Sequence, residues 1–358
     1  MSSELLTSLL KEVSRSFYLT MRVLPRAIRS QISLAYLLAR TTDTIADTEL
    51  ISVGRRLEAL DKLRARILGT SDAFLDFGDL ARTQGLPAEK ILLARCEDAL
   101  ALLSQFAQED QQRIRDVLNT ITSGQELDLK RFSRWSENTG EPSRGDARST
   151  SQSIIALETE AELDDYTYRV AGCVGKFWTK ICLAHQFSSL EIFGEEPSSD
   201  TFFEELGVRF GKGLQLINIL RDLPRDLRSG RCYLPGNQLT ELGLTPFDLL
   251  QPANETRLRP LYNRYLDLAK SNLAAGWKYT NLIPRSQVRV RLACAWPILI
   301  GAKTIKKLRV ANVLDPIQRV KVSRAEVRHL IVKSVLSYPF ASPWESQFPT
   351  ALRGRKCS

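Results

Sequence analysis

Asp43 and Asp47 stand four residues apart in LLARTTDTIADTE, and Asp222 and Asp226 repeat that spacing in LQLINILRDLPRDLRSGRCYLP. On a helix, residues i and i+4 share a face one turn apart, so each pair sets two carboxylates side by side. Like charges so placed repel, which leaves three readings for one pair alone: exposure to solvent, a basic partner, or a hard divalent cation. The second pair narrows the choice. Asn218 lies one turn before Asp222, making an oxygen stripe of Asn218, Asp222 and Asp226, and the run 213–220 is apolar apart from Gln215 and Asn218. A helix that apolar is largely buried, and a solvated charged face does not belong on it.

Mg²⁺ takes oxygen ligands, keeps several waters, and is commonly held by one or two carboxylates together with substrate phosphates. Two carboxylate pairs therefore suit a diphosphate, with Mg²⁺, or Mn²⁺ in its place, neutralising the leaving group as a carbon–oxygen bond ionises. Arg221, Arg225 and Arg228 interleave with the second pair, and Arg40 precedes the first by three residues. These guanidinium groups are cations for phosphate oxygens, although a surface position is the plain alternative for each. Pro224 leaves two readings open: an interior proline that bends the helix near the ions, or a helix that ends there and leaves Asp226 in a turn.

The elements that must position these residues read as helices. Apolar residues recur at spacings of three and four, as in Ile32, Tyr36, Ala39 and again Leu57, Leu60, Leu63, Ile67, and alternating strand patterns are nearly absent. The pattern predicts helices at 25–47, 51–68, 88–106, 109–128, 158–187, 200–228, 257–280, 286–309 and 323–337, an all-α fold. The segment from Ser133 to Ser153, rich in Ser, Gly, Arg and acidic residues, predicts a long exposed loop, either a linker or an active-site flap. We expect one helical domain over 1–340 and a frayed, flexible tail at 341–358, beginning near Ser342.

A net charge of +9 favours anionic partners without choosing among them. The basic residues are scattered, with no run of five or more and no aromatic-basic platform, so nucleic acid is not expected as a partner. The six cysteines form no CxxC pair and the two histidines, His185 and His329, lie far apart. That argues against zinc and a disulfide framework, and for reduced, buried thiols in a cytoplasmic protein. The longest apolar stretch, Leu292 to Ala302, contains Pro297 and is too short to span a bilayer. No transmembrane anchor is expected.

Five blocks together resemble the squalene and phytoene synthases, the head-to-head isoprenoid synthases. They are SRSFYLTMRVLP at 14–25, ARTTDTIADT at 39–48, YRVAGCVG at 168–175, LQLINILRDLPRDLRSGRCYLP at 214–235 and LACAWP at 292–297. The resemblance runs from about Val13 to Val332. DTIAD, GRCYLP and the CAWP block followed by RVKVSR are closer to squalene synthase patterns within that family. Arg225 stands where the family usually has an acidic residue.

The resemblance implies a single all-α isoprenoid synthase domain with a central channel, its two Asp pairs facing each other across Mg²⁺ and diphosphate. Two farnesyl diphosphates would bind as substrate. One ionises, the double bond of the other attacks, and proton loss closes the cyclopropane of presqualene diphosphate; NADPH then delivers hydride on the way to squalene. Tyr166 matches a tyrosine implicated in proton removal, with Tyr168 the competing assignment. Ser14, Arg15 and Ser16 would bind diphosphate, and Phe17 would line the channel. Lys321 and Arg324 would lie near the NADPH phosphates, although no GxGxxG fingerprint is present. The resemblance also implies a monomer, soluble or in peripheral contact with a membrane. Alternative readings are a relative that ends at presqualene diphosphate, hydroxysqualene, dehydrosqualene or phytoene, and a non-catalytic scaffold protein.

Overall fold

The computed structural model describes residues 9–14, 17–48, 50–137, 154–193 and 199–348, without the side chains of 14, 17–19, 134–137, 190, 193 and 199. Arg15 and Ser16 therefore lie outside the described residues, as do the side chains of Ser14 and Phe17 on which their assignments rest. The principal helices are α1 Arg26–Ala46, α2 Val53–Leu68, α3 Gln108–Glu137, α4 Glu160–Thr167, α5 Cys173–His185, α6 Ser199–Arg228, α7 Glu255–Leu282, α8 Val288–Leu308, α9 Arg324–Ser337 and α10 Ala341–Glu345. A wider π-helical turn, Tyr168–Gly172, joins α4 to α5. The fold is all-α apart from a two-residue parallel pairing of β1 Ile155–Ala156 with β2 Arg231–Cys232.

Local chemistry explains several helix ends. Pro25 precedes α1, Thr159 caps α4 by accepting from the Glu162 N–H, and Ser323 and Glu326 form a reciprocal capping box at the start of α9. Gly69 closes α2 at φ 74°, a left-handed conformation that glycine adopts without Cβ strain. The apolar stripes then bury in two clusters. Leu34, Leu37, Leu60, Leu63, Ile114 and Leu118 form one around α1, α2 and α3. Leu220, Leu223, Tyr262, Leu266, Leu273 and Ile298 form the other around α6, α7 and α8, and Phe210 packs against both. Each buried leucine contributes about 1.5–3 kcal/mol.

Three expectations are corrected. The predicted helix 88–106 is two helices that meet at Arg95, the second opened by Glu97 and Asp98 at its positive N-terminal end. The helix predicted to end at 128 runs to Glu137, because Leu129 and Phe132 continue the buried stripe. Residues 133–137 are thus helical, and 138–153 lie outside the described residues. The helix expected over 200–228 is borne out: it continues past Pro224 through Arg228, so of the two readings left open at Pro224 the one that placed Asp226 in a turn falls away. The expected tail is packed as far as Phe348: Trp344 is buried, stacks on Trp277 with ring centroids 5.3 Å apart, and donates from Nε1 to Asn281 Oδ1 at 2.7 Å.

Backbones come into contact where α5 and the π-helical turn before it cross α6. A Cβ on Gly175 would collide with the Gly207 carbonyl, and one on Gly211 with the Ala171 carbonyl. Backbone contact at these glycines brings α6, and with it the second Asp pair, toward α3 and the end of α1. The β1–β2 pairing adds a second tie, holding the entry to α4 beside the exit from α6.

Candidate active site

Both Asp pairs face one polar cavity of about 370 Å³. Asp43 lies in the last turn of α1 and Asp47 just beyond it, where the Asp47 N–H still donates to the Asp43 carbonyl at 2.9 Å. From α6 come Asn218, Arg221, Asp222, Arg225 and Asp226; from α3, Gln125 and Asp128; from α4, Tyr166; and from the segment after α6, Arg231 and Tyr233. Each Asp pair sits at the C-terminal end of its helix, the negative end of the macrodipole. Carboxylates are disfavoured there unless cations compensate them.

Asp43 accepts from Arg40 Nη1 at 3.1 Å and from Gln125 Nε2 at 3.0 Å, while Arg40 Nη2 donates to Glu89 at 2.6 Å. Its side chain is 51% accessible, but that surface faces the cavity, and removal from bulk water pushes its carboxyl above the ordinary range against Arg40 and Gln125. Asp47 is pushed up to about 6 by burial and then by the Asp43 charge, and Asp226 to about 6 by burial, with Asp222 adding to it and Arg225 opposing. Arg221 forks onto Asp222 at 2.9 and 2.7 Å, and Arg225 reaches Asp226 at 3.4 Å.

The donor set fits hard divalent cations: four carboxylates and the Asn218 amide line one cavity, and the buried Gln125 Oε1 has no hydrogen-bond partner. Among the described residues no three His, Cys, Asp or Glu side chains already stand together as a metal-ligand group. The carboxylates turn instead to their arginines.

Behind the carboxylates Tyr166 joins a network whose other members, Tyr233, Asp128 and Arg231, sequence reasoning did not single out. The Tyr233 hydroxyl donates to Asp128 at 3.1–3.2 Å, Arg231 approaches Asp128 at 3.5 Å, and Tyr166 stacks on Tyr233 with centroids 4.7 Å apart. Burial lifts Asp128 to about 6, against Arg231 and Tyr233, and drives the Tyr166 phenol well above its ordinary range. Arg231 and Tyr233 sit in the GRCYLP block, and Gln125 and Asp128 are spaced i, i+3 on α3, on the face that also carries Ile121, Leu129 and Phe132. That spacing was the available signal.

Other assigned residues lie apart from the cavity. Tyr168, two residues from Tyr166 and so on the far side of the helix, packs against the first core cluster. Arg228 is exposed and donates to the Pro224 carbonyl at 2.6 Å. Arg40 acts through Asp43 without lining the cavity. Lys321 and Arg324 are exposed and line neither this cavity nor the next.

A second, apolar cavity of about 430 Å³ shares Ile121, Val170, Gln215 and Asn218 with the first. Tyr36, Phe177, Trp178, Phe210 and Tyr279 supply its aromatic wall. An anionic head group and a long apolar chain can thus occupy adjoining spaces.

A family model of squalene/phytoene synthases matches residues 10–326. Presqualene diphosphate synthase of Zymomonas mobilis is 29% identical over 320 residues, covering 80% of this chain and 88% of that protein. Phytoene synthase of Arthrospira platensis is 26% identical over 318 residues, covering 89% and 84%. The squalene synthase TcSQS, solved with the ligand E5700, superposes with a TM-score of 0.71 at 19% identity, covering 93% of this chain and 86% of that one. The chain belongs to the squalene/phytoene synthase family, the head-to-head isoprenoid synthases, and has their all-α terpenoid synthase fold. Among the described residues no helix is long and apolar enough to cross a membrane.

Proposed function

We propose that this protein joins two farnesyl diphosphates head to head to give presqualene diphosphate, with Asp43, Asp47, Asp222, Asp226 and Asn218 holding Mg²⁺. The observation that carries this reading is the meeting of both Asp pairs in one polar cavity that adjoins an aromatic, apolar one. Bound Mg²⁺ would supply neutralisation of diphosphate charge as the carbon–oxygen bond ionises. Arg221, Arg225 and Arg231 line the same space and can exchange a carboxylate for a phosphate oxygen. The apolar cavity keeps water from the allylic cation, and the faces of Tyr36, Phe177, Trp178 and Phe210 stabilise positive charge.

Closing the cyclopropane releases one proton. We assign its destination to the Tyr166–Tyr233–Asp128 network. Tyr166, held protonated by burial, is a poor base by itself, whereas the Asp128 carboxylate accepts from Tyr233 and ends the chain.

Lys321 and Arg324, expected near the NADPH phosphates, lie away from both cavities, so we set the end point at presqualene diphosphate. Purified protein with farnesyl diphosphate and Mg²⁺ is expected to yield that product with or without NADPH. Squalene appearing on NADPH addition would establish the longer reaction. A C40 product formed only from geranylgeranyl diphosphate would move the protein to the phytoene branch, and no product from either substrate would favour a scaffold.

A further inference from the structure

An interior proline deprives the carbonyl four residues earlier of its N–H donor. In α6 that proline is Pro224, midway between Asp222 and Asp226, and the carbonyl is that of Leu220, buried in the second core cluster. Tyr262, fully buried on α7, donates its hydroxyl to that carbonyl at 2.9 Å. Arg259 lies 5.4 Å over the Tyr262 ring, and burial holds the phenol well above its usual range, so it remains a donor at neutral pH.

We infer that Tyr262 is a positioning residue for the second Asp pair. Its hydroxyl replaces the N–H that Pro224 removes and keeps the α6 turn between Asp222 and Asp226 in helical register. The hydrogen bond stands on the fold alone; its bearing on metal binding rests on the function proposed above. The first pair needs no such device, because the Asp47 N–H donates to the Asp43 carbonyl within the chain's own ladder. Without the Tyr262 hydroxyl, the Leu220 carbonyl must find water or the turn must widen. Either response moves Asp222 relative to Asp226, so metal affinity falls before the chemical step does.

The test is a four-member cycle of wild type, Tyr262→Phe, Pro224→Ala and the double variant, since Pro224→Ala restores a backbone N–H opposite the Leu220 carbonyl. Two readouts are taken: the melting temperature of metal-free protein, and Mn²⁺ binding in the presence of inorganic diphosphate, followed by electron paramagnetic resonance. Tyr262→Phe is expected to lower the melting temperature by about 2–4 °C. It should also weaken Mn²⁺ binding by roughly tenfold. In the Pro224→Ala background both effects should shrink to a small fraction. Equal effects in the two backgrounds would overturn the assignment, and so would a lower melting temperature with unchanged Mn²⁺ affinity. If Tyr262→Phe does not fold alone, the double variant folds if the inference is right and fails if it is wrong. Wild type that binds no Mn²⁺ would overturn the metal reading, while the melting cycle still judges the hydrogen bond.

Discussion

The two Asp pairs share a spacing and differ in how they are held. Asp43 is cross-linked between helices: Gln125 comes from α3, and Arg40 joins it to Glu89 on the segment Pro87–Ala94. Asp222 and Asp226 each lean on the arginine immediately before them, and the Arg225 side chain is 71% exposed. Long-range support of the second pair comes through the backbone, from Tyr262 to Leu220. Asp43 is fixed by its surroundings before substrate arrives; the second pair is attended by arginines that can turn toward phosphate.

The largest expected effect tests whether the halves form one site. Asp43→Asn and Asp222→Asn should each lower turnover by about 10³-fold, read as initial product formation with saturating farnesyl diphosphate and Mg²⁺. Near-normal activity in either variant would dissolve the pairing. Next, Arg40→Lys keeps the charge but loses the fork that spans Asp43 and Glu89, and should reduce activity by roughly thirtyfold. Arg225→Lys, whose partner is only its neighbour, should cost about threefold or less. Comparable losses would erase the distinction between fixed and adaptable cations.

A smaller effect concerns the scaffold of the first half. Buried Asp110 on α3 accepts from Gln31 of α1 at 3.1 Å and pairs with His185 Nε2 of α5 at 2.8 Å. Burial pushes Asp110 up, but hydrogen bonds from His185, Gln31 and Arg113 outweigh it and hold the carboxyl below its usual value. A depressed folded-state value contributes stability above the unfolded value, about 4, that is lost as pH falls through the folded one. Asp110→Asn should therefore destabilise by about 1.5 kcal/mol at pH 7, in denaturant titration, with the gap from wild type closing toward pH 3. A gap independent of pH would assign the loss to packing. The smallest effect, about 1 kcal/mol, is expected for Ser323→Ala at the α9 cap, and it should leave the Mg²⁺ dependence of turnover untouched because it is remote from both pairs.

Much of the fold was legible because helix-forming information is local. The stripes of α1, α2, α6, α7 and α8, and their ends within a few residues, follow from spacing alone, as does the suspicion attached to Asp43, Asp47, Asp222 and Asp226. Errors arose where a local signal was overridden from elsewhere. Polar residues at 133–137 read as loop although the buried stripe of Leu129 and Phe132 carries the helix onward, and the segment after Ser342 read as frayed although Trp277 gives Trp344 a stacking surface. At Pro224 no error was made but two readings stayed open, an interior proline or a helix end, because nothing nearby in sequence can replace its missing donor; the structure bears out the first.

What the amino-acid sequence determined by itself was the set of helices and the presence on two of them of paired carboxylates, since periodicity and i, i+4 geometry act within a single element. Only the tertiary structure decided that Gln125 and Asp128 belong to the site, that Tyr166 faces it and Tyr168 does not, and that Tyr262 completes α6. Those outcomes depend on contacts between segments far apart in the chain, whose geometry is set when the buried faces pack.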